Sequence, residues 1–195
     1  MVCLLITNFG MLKLSAQIPD NRPVEITMED GSVKTGTILL PMDISVKSVK
    51  LTTNGKTEKV NFEDVKTITY GSTTYINMAY TDGGNVRKNK KMMLASITEG
   101  KVKLYEYTWG ASNMRAAYKM QALNTGGTAY YCKRDNEDFA TLISLDDGNS
   151  ANRNSIFKKR AIEYFADNAA LMQKIENKEY KFPDIYKVVN EYNRQ

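Results

Sequence analysis

Asp135, Glu137 and Asp138 stand close enough in sequence to offer oxygen ligands to a hard cation, as do Asp146, Asp147 and Asn149. Neither group has the spaced acids and terminal glutamate of a calcium loop, so each reads as a solvated turn. Asn54-Gly55-Lys56-Thr57 contains a Gly-Lys-Thr, but a phosphate loop needs a glycine about five residues earlier, where Lys50 stands. Asn-Gly is a hairpin dipeptide, and a turn is the better reading. Arg87-Lys88-Asn89-Lys90-Lys91 is the densest basic run; it can touch phosphate or an acidic partner, and it reads first as a solvated loop tip. The 12 tyrosines and the single Trp109 can build a platform for a sugar or a peptide, or can simply fill a sheet.

Histidine is absent from the chain. Ser-His-Asp and Cys-His hydrolysis therefore fall away, as do zinc sites of the usual His or Cys composition. Lysine-based and paired-carboxylate mechanisms remain, yet no spacing singles out a pair. The sequence thus assigns no catalytic residue, no cofactor-binding residue and no metal ligand, and the chain reads as a protein that is not an enzyme. A net charge of +5, spread along 195 residues, is weak footing for nucleic acid or anionic lipid. Of the two cysteines, Cys3 lies in the N-terminal apolar stretch and Cys132 in the strand-like run Ala129-Tyr130-Tyr131-Cys132-Lys133, where burial is expected.

The elements that must position these residues fall into two groups. From Pro23 to about Ile143 the pattern is that of strands: Val24, Ile26 and Met28 alternate with Glu25 and Thr27, and Asp30-Gly31 marks a hairpin. Strands are expected over Val33 to Leu40, Ile44 to Thr53, Lys59 to Phe62 leading into Val65 to Tyr70, and Thr74 to Tyr80. Lys91 to Thr98 and Lys101 to Trp109 bracket Glu99-Gly100 as a further hairpin, and Thr128 to Lys133 with Ala140 to Leu145 form a last pair. Gly110 to Asn124 reads as a long loop or a short helix.

After Asp146-Asp147-Gly148-Asn149-Ser150 the period changes to that of helices. Ser155 is expected to cap a helix with Phe157, Ala161, Tyr164, Phe165 and Asn168 on one face. A second helix covers Ala169 to Asn177. A third begins at Pro183 and carries the stripe Ile185, Val188, Val189 and Tyr192. The expected fold is α+β: an antiparallel β-rich body (roll, barrel or sandwich) over 17–150, then a helical segment over 151–195 packed on it.

The first sixteen residues read differently. Val2 to Ile6 and Met11 to Leu14 form an apolar stretch that ends in Ser15-Ala16-Gln17, small residues of the kind a signal peptidase accepts. The stretch is shorter than the roughly 20 apolar residues of a membrane span. Residues 1–16 are therefore read as a signal peptide cleaved after Ala16, placing the mature chain in the periplasm or on the outer surface.

Two resemblances add to this reading. Glu99 to Tyr107, Tyr130-Tyr131, Phe157-Lys158-Lys159, Glu163-Tyr164-Phe165, Lys174 to Lys178, Val189 to Asn193 and the Ser15-Ala16-Gln17 junction resemble a family of secreted and envelope proteins of Bacteroidota to which no activity is attached. That resemblance implies export and a β-rich body with a helical tail, and it carries over no functional residue. The rhythm Ile26 to Gly31, Gly36 to Leu39, Val49 to Leu51 and Ile68 is similar to that of small Sm-like or SH3-like barrels, some of which bind RNA. The function expected is an exported envelope protein that binds a protein or glycan partner without chemistry. An RNA-binding small barrel and a hydrolase using carboxylates alone are the alternatives.

Overall fold

The structure is a computed structural model of the chain, and it describes residues 20–40, 47–81, 86–109, 127–146 and 152–195. The expected signal peptide with Cys3, the segment 110–124 and the residues Asp147 and Asn149 lie outside the described residues. Ten strands make one antiparallel sheet: β1 (Asp20–Met28), β2 (Val33–Leu40), β3 (Ser48–Thr53), β4 (Lys56–Asn61), β5 (Val65–Tyr70), β6 (Thr73–Thr81), β7 (Val86–Thr98), β8 (Lys103–Trp109), β9 (Gly127–Lys133) and β10 (Thr141–Asp146). Their order across the sheet is β10-β9-β8-β7-β6-β5-β1-β2-β3-β4. Helices α1 (Arg153–Tyr164), α2 (Ala169–Glu176) and α3 (Ile185–Asn193) follow. The α+β arrangement expected from the sequence is the one observed. Among the described residues no helix is long and apolar enough to cross a membrane.

The first half of the sheet curves round one apolar cluster. Val24 and Ile26 of β1 point into it with Ile38, Val49, Leu51, Val60, Val65 and Ile68, while Glu25 between them stays exposed. The expected turns close it: Asn54 and Gly55 both take positive φ, 51° and 75°, which is what a two-residue primed hairpin turn requires. At Asp30-Gly31 the Asp30 carboxylate accepts from the Ser32 backbone N–H at 2.8 Å. A single 3-10 turn, Phe62–Asp64, links β4 to β5. Asn77 of β6 pins it by donating to the Phe62 and Val65 carbonyls at 2.7 and 2.9 Å. The strand order through this half is β5-β1-β2-β3-β4.

β7 stands between two cores. Met93 completes the first cluster, and its neighbour Leu94 points the other way into a second, with Tyr105, Ala129, Tyr131, Ala140 and Leu142. This second core closes because the sheet curls until Ala140 bridges Tyr80 in parallel. Thr81 N–H donates to the Ala140 carbonyl and Ala140 N–H to the Ala79 carbonyl, both at 2.9 Å. On the opposite face of the same strands Leu104, Cys132 and Ile143 meet the helices, which contribute Phe157, Ala161, Phe165, Leu171, Ile175, Ile185, Val188 and Val189. Phe157, Ala161, Phe165, Ile185, Val188 and Val189 belong to the apolar faces the sequence marked on the first and third helices.

Three local expectations need correcting. Arg87–Lys91 is not a loop tip: it lies within β7, where an irregularity of register separates the pairs Thr81↔Val86 and Ala79↔Lys91 with β6. Ser155 does not cap α1; the helix starts earlier, with Asn152 in the capping position. Pro183 sits in a 3-10 turn, Phe182–Asp184, that leads into α3 instead of opening it.

Cys132 is fully buried, as its strand context suggested. Burial pushes its thiol far above the ordinary range, and the nearby Glu137 charge adds to this. The expected result is that Cys132 resists alkylation in the native protein and reacts fully in urea, read by peptide mapping. Alkylation at the rate of a free thiol under native conditions would show that the helices do not cover β9.

Candidate binding site on the sheet face

Cross-strand register lines up one row of residues on the face that carries the first cluster and the helices. It runs Ile26, Ile68, Tyr75, Ala95, Glu106, Tyr130, Ser144 over seven strands. Directly paired residues in an antiparallel sheet project to the same side, so these side chains stand in file. The two ends of the row are sealed, Ile26 and Ile68 by the first cluster and Ser144 by the helical cover. Between them Tyr75 packs against the first cluster and Tyr130 against the helical one. Tyr75, Glu106 and Tyr130 are half-buried there, and Ala95, between Tyr75 and Glu106, is buried.

Glu106 is the polar centre. Tyr186, brought over the sheet by α3, donates to Glu106 Oε2 at 3.0 Å, and Thr108 donates to Oε1 at 3.1 Å. The Tyr130 hydroxyl lies 3.3 Å from that of Tyr186. The Tyr130 and Tyr186 rings meet edge to face at 5.4 Å. Across Ala95, Tyr75 stacks on Tyr70 with ring centroids 5.8 Å apart and hydroxyls 3.2 Å apart. Burial pushes the Tyr75 phenol up, with the Tyr70 hydroxyl and the Glu106 charge adding to it. Burial likewise raises Tyr186, whose hydrogen bonds to Tyr130 and Glu106 act in the same direction. These phenols are therefore neutral donors throughout the physiological range. The strip offers aromatic faces, hydroxyls and one carboxylate, the equipment of a recognition surface.

The other residues marked in the sequence are dispersed. Asp135 pairs with Lys103 at 2.7 Å. Glu137 accepts from Arg134 and from the Tyr164 hydroxyl, Asp138 is exposed, and Asp146 pairs with Arg153 at 3.0 Å. Among the described residues no three acids or cysteines gather as a metal site. Lys91 pairs with Glu29 at 2.5 Å, and Lys56 and Thr57 stand on β4 beside the Asn54-Gly55 turn. Trp109 stacks with Tyr107 at 5.8 Å on the side of the second core, away from the strip. Gly127 is required beneath it, because an added Cβ would run into the indole ring.

Glu106 and Tyr186 were not singled out as functional by the sequence. The one available signal was alternation: Glu106 shares its face with the fully buried Leu104, so a carboxylate occupies what the strand pattern marks as an inward position. No family model matches the chain, and no curated protein and no solved structure is significantly similar to it.

Proposed function

We propose that the protein is an exported envelope component that binds a protein or glycan partner through the strip Tyr70, Tyr75, Glu106, Tyr130 and Tyr186, without performing chemistry on it. The observation that carries this reading is the strip itself. Four tyrosines and one carboxylate gather, half-buried, between the first cluster and the helices. Rigid aromatic side chains bring large contact area at low entropic cost, which is why they concentrate at recognition surfaces. Export rests on the apolar N-terminal stretch and its Ser15-Ala16-Gln17 junction.

Enrichment from an envelope fraction tests the strip. Tyr75→Ala, folded by circular dichroism, is expected to recover at least about tenfold less partner than the wild type, the scale of losing an aromatic anchor. Equal recovery would move the binding surface elsewhere. Mass spectrometry of the mature N-terminus tests export. A chain starting at Gln17 is expected, and an intact Met1 on cytoplasmic protein would remove that half of the proposal.

A further inference from the structure

We infer that the β4 edge of the sheet takes up an extended acidic segment of a protein partner, which adds as a further strand beside Lys56–Asn61. This surface is separate from the tyrosine strip and does not depend on it. Among the described residues β4 stands last in the strand order. Lys56, Thr57, Glu58 and Lys59 are all exposed, so both faces of the strand reach solvent. The two-residue turn at Asn54-Gly55 makes Thr53 and Lys56 a hydrogen-bonded pair, and the ladder alternates from there. Leu51 with Glu58 and Val49 with Val60 are then bonded across the hairpin, whereas Thr57 and Lys59 aim their backbone groups out of the edge. The Thr52 and Thr57 hydroxyls, 2.9 Å apart, fit the closer approach of a pair that is not bonded through its backbone. The edge therefore offers the N–H and C=O of Thr57 and Lys59 to an incoming strand.

Charge decides which strand is accepted. Residues 47–61 carry Lys47, Lys50, Lys56 and Lys59 against one acid, Glu58. Lys34 engages both oxygens of that acid at 3.1 Å. Lys50 stands directly opposite Lys59, and both are exposed. Like charges in direct opposition cost stability. An acidic side chain opposite Lys59 continues the row from Lys50 through Lys59 with the sign that relieves it. The same lysines repel a second β4 edge, so the charge that blocks self-pairing selects an acidic strand. On the other face Val49 pairs with Val60 and both are buried, so the incoming residues that alternate with the acids are apolar. The patch ends at the 3-10 turn, where Glu63 and Asp64 reverse the sign. A nucleic acid or a glycan can answer the lysines but not the backbone row.

The test titrates the full chain with a short capped peptide of alternating glutamate and valine, and with its glutamine–valine counterpart. Amide NMR combined with hydrogen exchange is the readout. The acidic peptide is expected to bind at least about tenfold more tightly at low salt, with the gap narrowing as ionic strength rises. Exchange is expected to slow at Thr57 and Lys59, while Glu58 and Val60, already bonded to β3, keep their rates. Lys59→Glu, a change at an exposed position, is expected to abolish the preference and to favour a lysine–valine peptide. Unchanged amide shifts outside β3 and β4 establish that this variant is folded. No binding of the acidic peptide, equal affinity for the two peptides, or a preference that survives Lys59→Glu would each overturn the inference. Binding that leaves Thr57 and Lys59 exchanging as fast as before would make the edge a general anion patch and would overturn strand addition.

Discussion

Val189→Asp is expected to destabilise the folded chain by at least about 2 kcal/mol, measured as a lowered urea midpoint with an unchanged slope. Val189 lies on the buried stripe of α3 and has no solvent exposure. It belongs to the same cluster as Leu104 and Ile143 of the sheet and Phe157, Phe165 and Val188 of the helices. An aspartate there has two routes, and both cost stability. It stays charged without solvent, or it takes up a proton and loses the packing of the two methyl groups it replaces. Asn193, one turn further on, makes the docking specific. Its amide oxygen accepts from Val102 N–H at 2.9 Å and its amide nitrogen donates to the Val102 carbonyl at 2.8 Å. The side chain thereby stands in for a strand partner at the β7–β8 turn, and displacing α3 breaks both bonds. A midpoint unchanged within error would show α3 to be a free arm.

What was legible in the sequence follows from the range of each interaction. The alternation of Val24 and Ile26 and the Asn54-Gly55 turn are local features, and the structure has them where the sequence put them. The helical stripes were also local, and Phe157, Ala161 and Phe165 are buried together as their spacing implied. The basic run at Arg87–Lys91 misled because it has no apolar alternation, although it continues the strand that pairs with β6 from Lys91 onward. Arg134 gave no signal, since its network joins residues up to 58 positions apart. The binding strip is more distant still. Tyr186 reaches Glu106 across 80 positions, and only the register of the three successive strands β6, β7 and β8 puts Tyr75 on the same side. Residue types suggested a tyrosine platform; which tyrosines compose it depended on pairing that no single segment encodes. The tail motif quoted for the family resemblance is the part whose meaning changed most. Glu191, Tyr192 and Asn193 each hold the tail in place, through Lys174, Asp167 and Val102 respectively.

Arg134→Met is the second change with a large expected effect, about 2–3 kcal/mol, below the 3–5 kcal/mol of a fully buried pair because its side chain keeps 22% exposure. Arg134 leaves the end of β9 and is received by all the tail's first elements. Its guanidinium bonds Glu137 at 3.2 Å, the Tyr164 carbonyl at 3.0 Å, Asp167 at 3.2 Å and the Tyr192 hydroxyl at 3.3 Å. It also lies 4.4 Å over the Tyr164 ring and 5.4 Å over that of Tyr192. Burial works against the charge, but the hydrogen bonds Arg134 donates to Tyr192 and Glu137 and its electrostatic interaction with Tyr164 and Tyr192 outweigh it, so the group is held protonated at every accessible pH. Methionine retains much of the stem's apolar contact while leaving the Glu137 and Asp167 carboxylates without their counter-charge and the Tyr164 carbonyl without the guanidinium donor. Arg134→Lys is expected to recover less than half of the loss, because a single ammonium cannot reproduce a planar fork lying between two rings. Hydrogen exchange separates this role from general weakening. Protection should fall in α1 and α3 and persist in β1 to β5, whose core shares no residue with the cluster under the helices. Uniform loss across the sheet, or a loss restored by lysine, would mean that Arg134 contributes bulk and charge instead of latching the tail to β9.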